Sequence, residues 1–131
     1  MFAKMRLAVV FAFVGCLLIG ATNAGASGQT CKNVKIKIAN KTTWKEIKVE
    51  KLWYWDNDIK DWRQELTWTV LWIPVNETRT RTRNLEHVDN EMTRIKIRWG
   101  RHDSVRMIDR YEESEAFNCQ GGCEVNIEIK G

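Results

Sequence analysis

One proline, two histidines and three serines are all that this 131-residue chain holds of those types, and each scarcity excludes something. His87 and His102 are the only imidazoles, and Ser27, Ser104 and Ser114 the only serines, so a hydrolytic triad has few parts to draw on. The run His102, Asp103, Ser104 contains the three types, but consecutive residues cannot stack in line as base, orienter and nucleophile. No catalytic residue is assigned. Paired acid and base carboxylates would need a raised pKa in a cleft, and the acids here read as solvated groups that offset basic strands.

Metal and cofactor signals are equally thin. Asp56, Asn57, Asp58 and Asp61 offer hard oxygens of the kind calcium takes, yet the loop lacks the glycine and distal glutamate of an EF-hand. Glu86, His87, Asp89 and Glu91 form a second polar cluster without a demanding ligand spacing, and Cys119 and Cys123 are not spaced as zinc or thioredoxin cysteines are. The chain is read as binding no metal and no cofactor.

Long apolar runs are confined to the start, where Lys4 and Arg6 precede Leu7 to Ala21 and small residues follow. A membrane-spanning helix needs about 20 apolar residues, so the pattern predicts a secretory signal peptide over residues 1–26, cleaved after Ala24 or Ala26. A lipid-modified Cys16 is the competing reading, opposed by Phe13 and by the apolar residues beyond the cysteine. The expected product, residues 27–131, is one domain, secreted to an extracellular or periplasmic space, with no transmembrane segment after cleavage. Removing two leader cations leaves 19 bases against 17 acids. That near balance argues against a nucleic-acid partner, which usually calls for bulk positive charge.

Of the four cysteines, Cys31, Cys119 and Cys123 follow the leader, and export favours a disulfide. Joining Cys31 to Cys119 or Cys123 closes a loop of roughly 90 residues and stabilises far more than a Cys119 to Cys123 bridge. The sequence therefore favours Cys31 with one of the pair.

Period-two alternation then fills the chain. Val34, Ile36 and Ile38 alternate with lysines. Ile47, Val49, Trp53 and Trp55 share one parity, and beyond the Asp56 to Asp61 loop a single run from Trp62 to Ile73 places Leu66, Trp68, Val70 and Trp72 on one face before Pro74 ends it. Thr93, Ile95, Ile97 and Trp99 alternate with Arg94, Lys96 and Arg98. A turn over Gly100 to Asp103 leads to a weaker strand from Val105 to Tyr111, and Cys123, Val125, Ile127 and Ile129 mark a final strand expected to lie near the first. No segment after the leader holds apolar residues at helical spacing for three turns. The fold class is all-β, a single antiparallel β-sandwich of about seven strands, with a small barrel as the alternative.

The seven tryptophans read mostly as core, with Trp44 and Trp62 beside turns where a ring can stay exposed to stack on a sugar or meet a lipid headgroup. Two N-x-T sequons, at Asn40 and Asn76, are about what chance supplies. Arg79, Arg81 and Arg83 alternate with three threonines, which predicts an edge strand or a hairpin standing partly off the body, with charges that discourage aggregation. If the side-chain parities agree, Arg94, Lys96 and Arg98 stand beside them, and six cations share one surface. Guanidinium groups grip sulfate, phosphate and carboxylate in bidentate fashion. The sequence thus points to a non-catalytic binding module that docks an acidic glycan or anionic lipid headgroups through those six residues with Trp44 or Trp62. The alternatives are a membrane-active, cytolysin-like toxin and an inhibitor or immunity factor with a protein partner.

Overall fold

The computed structural model describes residues 28–101 and 110–131. The expected leader, His102, Ser104 and the start of the strand expected at Val105 lie outside the described residues.

The described residues form strands and no helix. β1 (Cys31–Asn40), β5 (Thr78–Leu85) and β10 (Glu124–Ile129) make a three-stranded sheet in the order β10-β1-β5. β2 (Glu46–Asp56) runs through a five-stranded sheet: β7 (Ile95–Arg101) and then β8 (Arg110–Glu113) follow on one side, while β3 (Asp61–Gln64) and β4 (Leu71–Pro74) share the other. β6 (Met92–Thr93) and β9 (Phe117–Asn118) pair as a small third sheet.

Alternation explains which side each strand buries. Val34, Ile36 and Ile38 of β1, Val125, Ile127 and Ile129 of β10, and Ile95, Ile97 and Trp99 of β7 are all buried, and they join one apolar cluster with Ile47, Val49 and Leu52 of β2. The first and last strands lie side by side, as their matching patterns suggest, but run parallel where the fold class expected antiparallel strands, with Ile36 opposite Val125 and Ile38 opposite Ile127. Cys31 and Cys119 stand at disulfide-bonding distance, both fully buried.

Two further expectations are corrected. The run from Trp62 to Ile73 is two short strands, because Glu65 turns the chain: its Oε1 accepts hydrogen bonds from Thr67 N at 3.0 Å and Thr67 Oγ1 at 2.7 Å. Leu66 is consequently 84% exposed and Trp72 42%, while Leu71 and Ile73 of the opposite parity are buried. Trp53 and Trp55 also leave the parity of Ile47 and Val49. The β2 to β7 register shifts between Val49 and Lys51, leaving Glu50 as an extra residue. Such a bulge reverses the facing of everything beyond it, so Leu52 and Tyr54 turn into the core and the two tryptophans turn out.

Candidate ligand-binding face

The bulge at Glu50 builds the molecule's most distinctive surface. Beyond it, the outward residues of β2 are Lys51, Trp53 and Trp55, and the register sets each beside a chosen neighbour. Trp55 lies opposite Trp62 of β3, Trp53 opposite Lys96 of β7, and Lys51 opposite Arg98; one strand further, Arg98 faces Tyr111 and Lys96 faces Glu113 of β8. Directly opposed side chains share a sheet face. Rings and cations are therefore interleaved across four strands.

The contacts follow from that placement. Trp55 and Trp62 meet edge to face with centroids 5.5 Å apart, and Trp53 lies 6.0 Å from Tyr111. Lys96 Nζ sits 4.4 Å from the Trp62 centroid, 5.4 Å from Trp53 and 5.7 Å from Tyr111. The Arg94 guanidinium covers Trp62 at 5.5 Å and Trp55 at 5.8 Å. A cation over an aromatic face is attracted by the ring quadrupole, and such contacts hold the side chains in place. The three tryptophans are half-buried and Tyr111 is 48% exposed.

Charge is balanced unevenly along the face. Arg98 and Lys48 both bind Glu50, at 2.9 Å and 3.0 Å. Burial pushes the Glu50 carboxyl up, but the hydrogen bonds from Lys48 and Arg98 outweigh it and hold it below the ordinary range. Arg94 reaches Glu113 at 3.4 Å. Among the described residues, Lys96 has no carboxylate within ion-pairing distance. Its amine lies against the three ring faces.

The arginine row lies elsewhere. β5 is an edge strand, as predicted, but it belongs to the three-stranded sheet, and the two basic rows do not share a face. Arg79, Arg81 and Arg83 stand opposite Ile38, Ile36 and Val34, whose side chains are buried. They point to the inner side at the edge of the sheet, and the exposed threonines take the outer side. Arg79 pairs with Glu77 at 2.7 Å. Arg81 donates to the carbonyls of Thr69 and Val70 and to Thr69 Oγ1, and both Arg81 and Arg83 lie over the Trp68 ring, at 5.1 Å and 5.7 Å. Burial and the neighbouring Arg83 both lower the Arg81 pKa.

Trp44 and Trp62 also part company. Trp62 is on the outer face, whereas Trp44 packs against the core cluster, 5.4 Å from Trp99, with Arg101 and Arg110 over its ring. The face thus unites Arg94, Lys96, Arg98 and Trp62 from the sequence candidates with Trp53, Trp55 and Tyr111, which sequence reasoning missed. The available signal was the charged Glu50 and Lys51 interrupting the alternation of β2.

The two acidic loops converge. Asp56, Asp58 and Glu91 bring carboxylate oxygens within 4.8 Å of one another. Asp56 is fully buried, and there burial pushes its carboxyl up while the Arg63 guanidinium pulls it below the usual range. Glu91 is pushed up by burial, with Asp58 and Asp56 adding repulsion. Comparison with protein-family models, with curated proteins and with solved structures finds no match to this chain.

Proposed function

We propose that the two main sheets make a small β-sandwich, the single domain of an exported, non-catalytic binding module, and that its outer aromatic face docks an acidic glycan. The observation that carries this reading is Lys96, an amine held over three rings and, among the described residues, with no carboxylate within ion-pairing distance. A sulfated or uronic glycan suits such a surface because it brings both halves of the contact. Its pyranose C–H groups pack on Trp62, Trp53 and Tyr111, and its anionic groups pair with Lys96 and Arg94. The arginines of β5 keep a different task in this account, holding the edge of their own sheet.

Heparin chromatography tests the reading. Lys96→Gln with Arg94→Gln is expected to weaken binding about ten-fold, equivalent to roughly 1.4 kcal/mol, and to flatten the salt dependence. Trp62→Ala is expected to weaken it as well, at unchanged net charge. Retention that survives all three substitutions would overturn the proposal. Binding and leakage of anionic vesicles without heparin retention would replace it with a membrane-active function.

A further inference from the structure

On the opposite side of the five-stranded sheet, where the edges of the two sheets part, lies a cleft of about 550 Å³. Its walls come from β5, from the end of β3 and from the turn that follows it, and Tyr54 of β2 crosses between the sheets. The volume falls within the roughly 300 to 1,000 Å³ of small-molecule sites. Nothing in the outer-face reading uses this space.

Three polar groups around the cleft are fixed by the protein with bonding capacity to spare, and of these the Arg83 Nε is enclosed. Tyr54 is 3% exposed, and its hydroxyl accepts a hydrogen bond from Glu86 N at 3.1 Å. Among the described residues its own O–H proton has no acceptor. Burial raises the Tyr54 pKa, with Glu65 and Glu86 adding to the shift, so the phenol stays a neutral donor. Glu65 is 9% exposed, and its Oε1 takes both bonds from Thr67. Its second oxygen makes no hydrogen bond within the described protein. Arg83 lies over Trp68, donates through Nη1 to Thr82 O at 2.8 Å, and keeps an enclosed Nε without a partner.

Polar groups around such a space are completed by whatever enters it, water or ligand. Here they are of opposite kinds: a neutral donor, a carboxylate acceptor and a guanidinium, with Arg83 and Glu65 lining one space without pairing. An anion entering would meet Glu65 and Glu86, and a cation would meet Arg83. A neutral ligand that both donates and accepts satisfies all of them. Planar side chains such as those of Arg83 and Glu65 match the two oxygens of a vicinal diol, and exposed Leu66 at the rim offers an apolar surface to C–H groups.

We infer that this cleft is a binding site for a neutral, hydroxyl-rich ligand, a single pyranose unit, separate from the outer aromatic face. The probe is a panel of neutral methyl glycosides (gluco, galacto, manno and N-acetylglucosamine) titrated into the isotopically labelled protein and followed by amide chemical shifts. At least one sugar is expected to shift the amides of Gln64 to Thr67 and Thr82 to Asn84. Binding should be insensitive to added salt and unaffected by Lys96→Gln. Tyr54→Phe, which deletes the free donor, is expected to weaken binding about ten-fold or more. Leu66→Ala, at an exposed rim position that leaves the core intact, is expected to weaken it several-fold with an unchanged spectrum elsewhere. The inference is overturned if no sugar moves those amides, if both variants bind as the parent does, or if acetate or glycine occupies the cleft and the sugars do not. Loss of heparin binding in Lys96→Gln with sugar binding retained separates this site from the outer face.

Discussion

Glu91 illustrates how much a single side chain depends on loops that meet only in the fold. Its Oε2 is enclosed without a hydrogen bond, and burial together with Asp58 and Asp56 raises its pKa. A carboxyl whose folded pKa lies above its unfolded value destabilises the fold while ionised, and that penalty is relieved as pH falls through the folded pKa. Glu91→Gln is therefore expected to stabilise the protein at pH 7 by about 0.5 kcal/mol, a size typical of exposed charge interactions, and the gain should vanish in acid. Urea midpoints at neutral pH and in the carboxyl range check this; a variant less stable at pH 7, or equally improved at both, contradicts it. The two acidic loops were legible as polar clusters, but their meeting was not, because nothing local specifies a contact across more than thirty positions. Asn40 teaches the converse. Its sequon letters suggest a surface acceptor, yet the side chain is fully buried, donates to Ile73 O at 3.0 Å and accepts from Thr42 N at 3.0 Å. It is the clasp of the turn between β1 and β2.

At the scale of strands, β5 separates two arginines that look equivalent in sequence. Arg79 is exposed and bound only to Glu77, while Arg81 satisfies two loop carbonyls and stacks on Trp68. Truncating Arg79 to alanine is expected to change stability by less than about 0.5 kcal/mol. Arg81→Ala should cost about 2 kcal/mol, since charge-assisted hydrogen bonds to backbone oxygens and a partly desolvated cation-aromatic contact go together, lowering Tm by roughly 10 °C for a domain of this size. Equal melting temperatures for the two variants would show that the inward placement of Arg81 carries no weight. Alternation revealed β1, β5, β7 and β10 as strands, because period two survives wherever one face is buried. It did not reveal which sheet β5 joins, since parity describes one strand against itself. Nor does alternation continue through the bulge at Glu50 or the Glu65 turn, each of which resets facing by a local device; at Glu50 the adjacent charges were the only sign of it.

At the scale of the whole molecule, a long-range closure joins the two ends of the described chain. β1 opens the described chain and β10 ends it, yet they pair in parallel, and the ladder is extended by Lys35 N donating to Cys123 O at 2.8 Å. Matching hydrophobic patterns with flanking cysteines made that neighbourhood readable, because chain ends far apart in sequence need a covalent tie more than near ones do. Cys31 and Cys119 are 88 residues apart in sequence. By the loop-entropy model a link of that span stabilises by about 4 to 5 kcal/mol, a large share of the roughly 5 to 15 kcal/mol typical of whole domains. The double variant Cys31→Ala, Cys119→Ala is accordingly expected to lose about 4 kcal/mol and to melt about 20 °C lower, while keeping the β-sheet circular dichroism of the parent when cold. Its urea slope should fall little and its midpoint greatly. The two positions are buried, so some loss would come from packing alone. Comparing the parent in its oxidised and chemically reduced forms removes that contribution, because no side-chain volume changes. If reduction shifts the midpoint by less than about 1 kcal/mol, the fold is held by the packing of its strands and not by the bond across its seam.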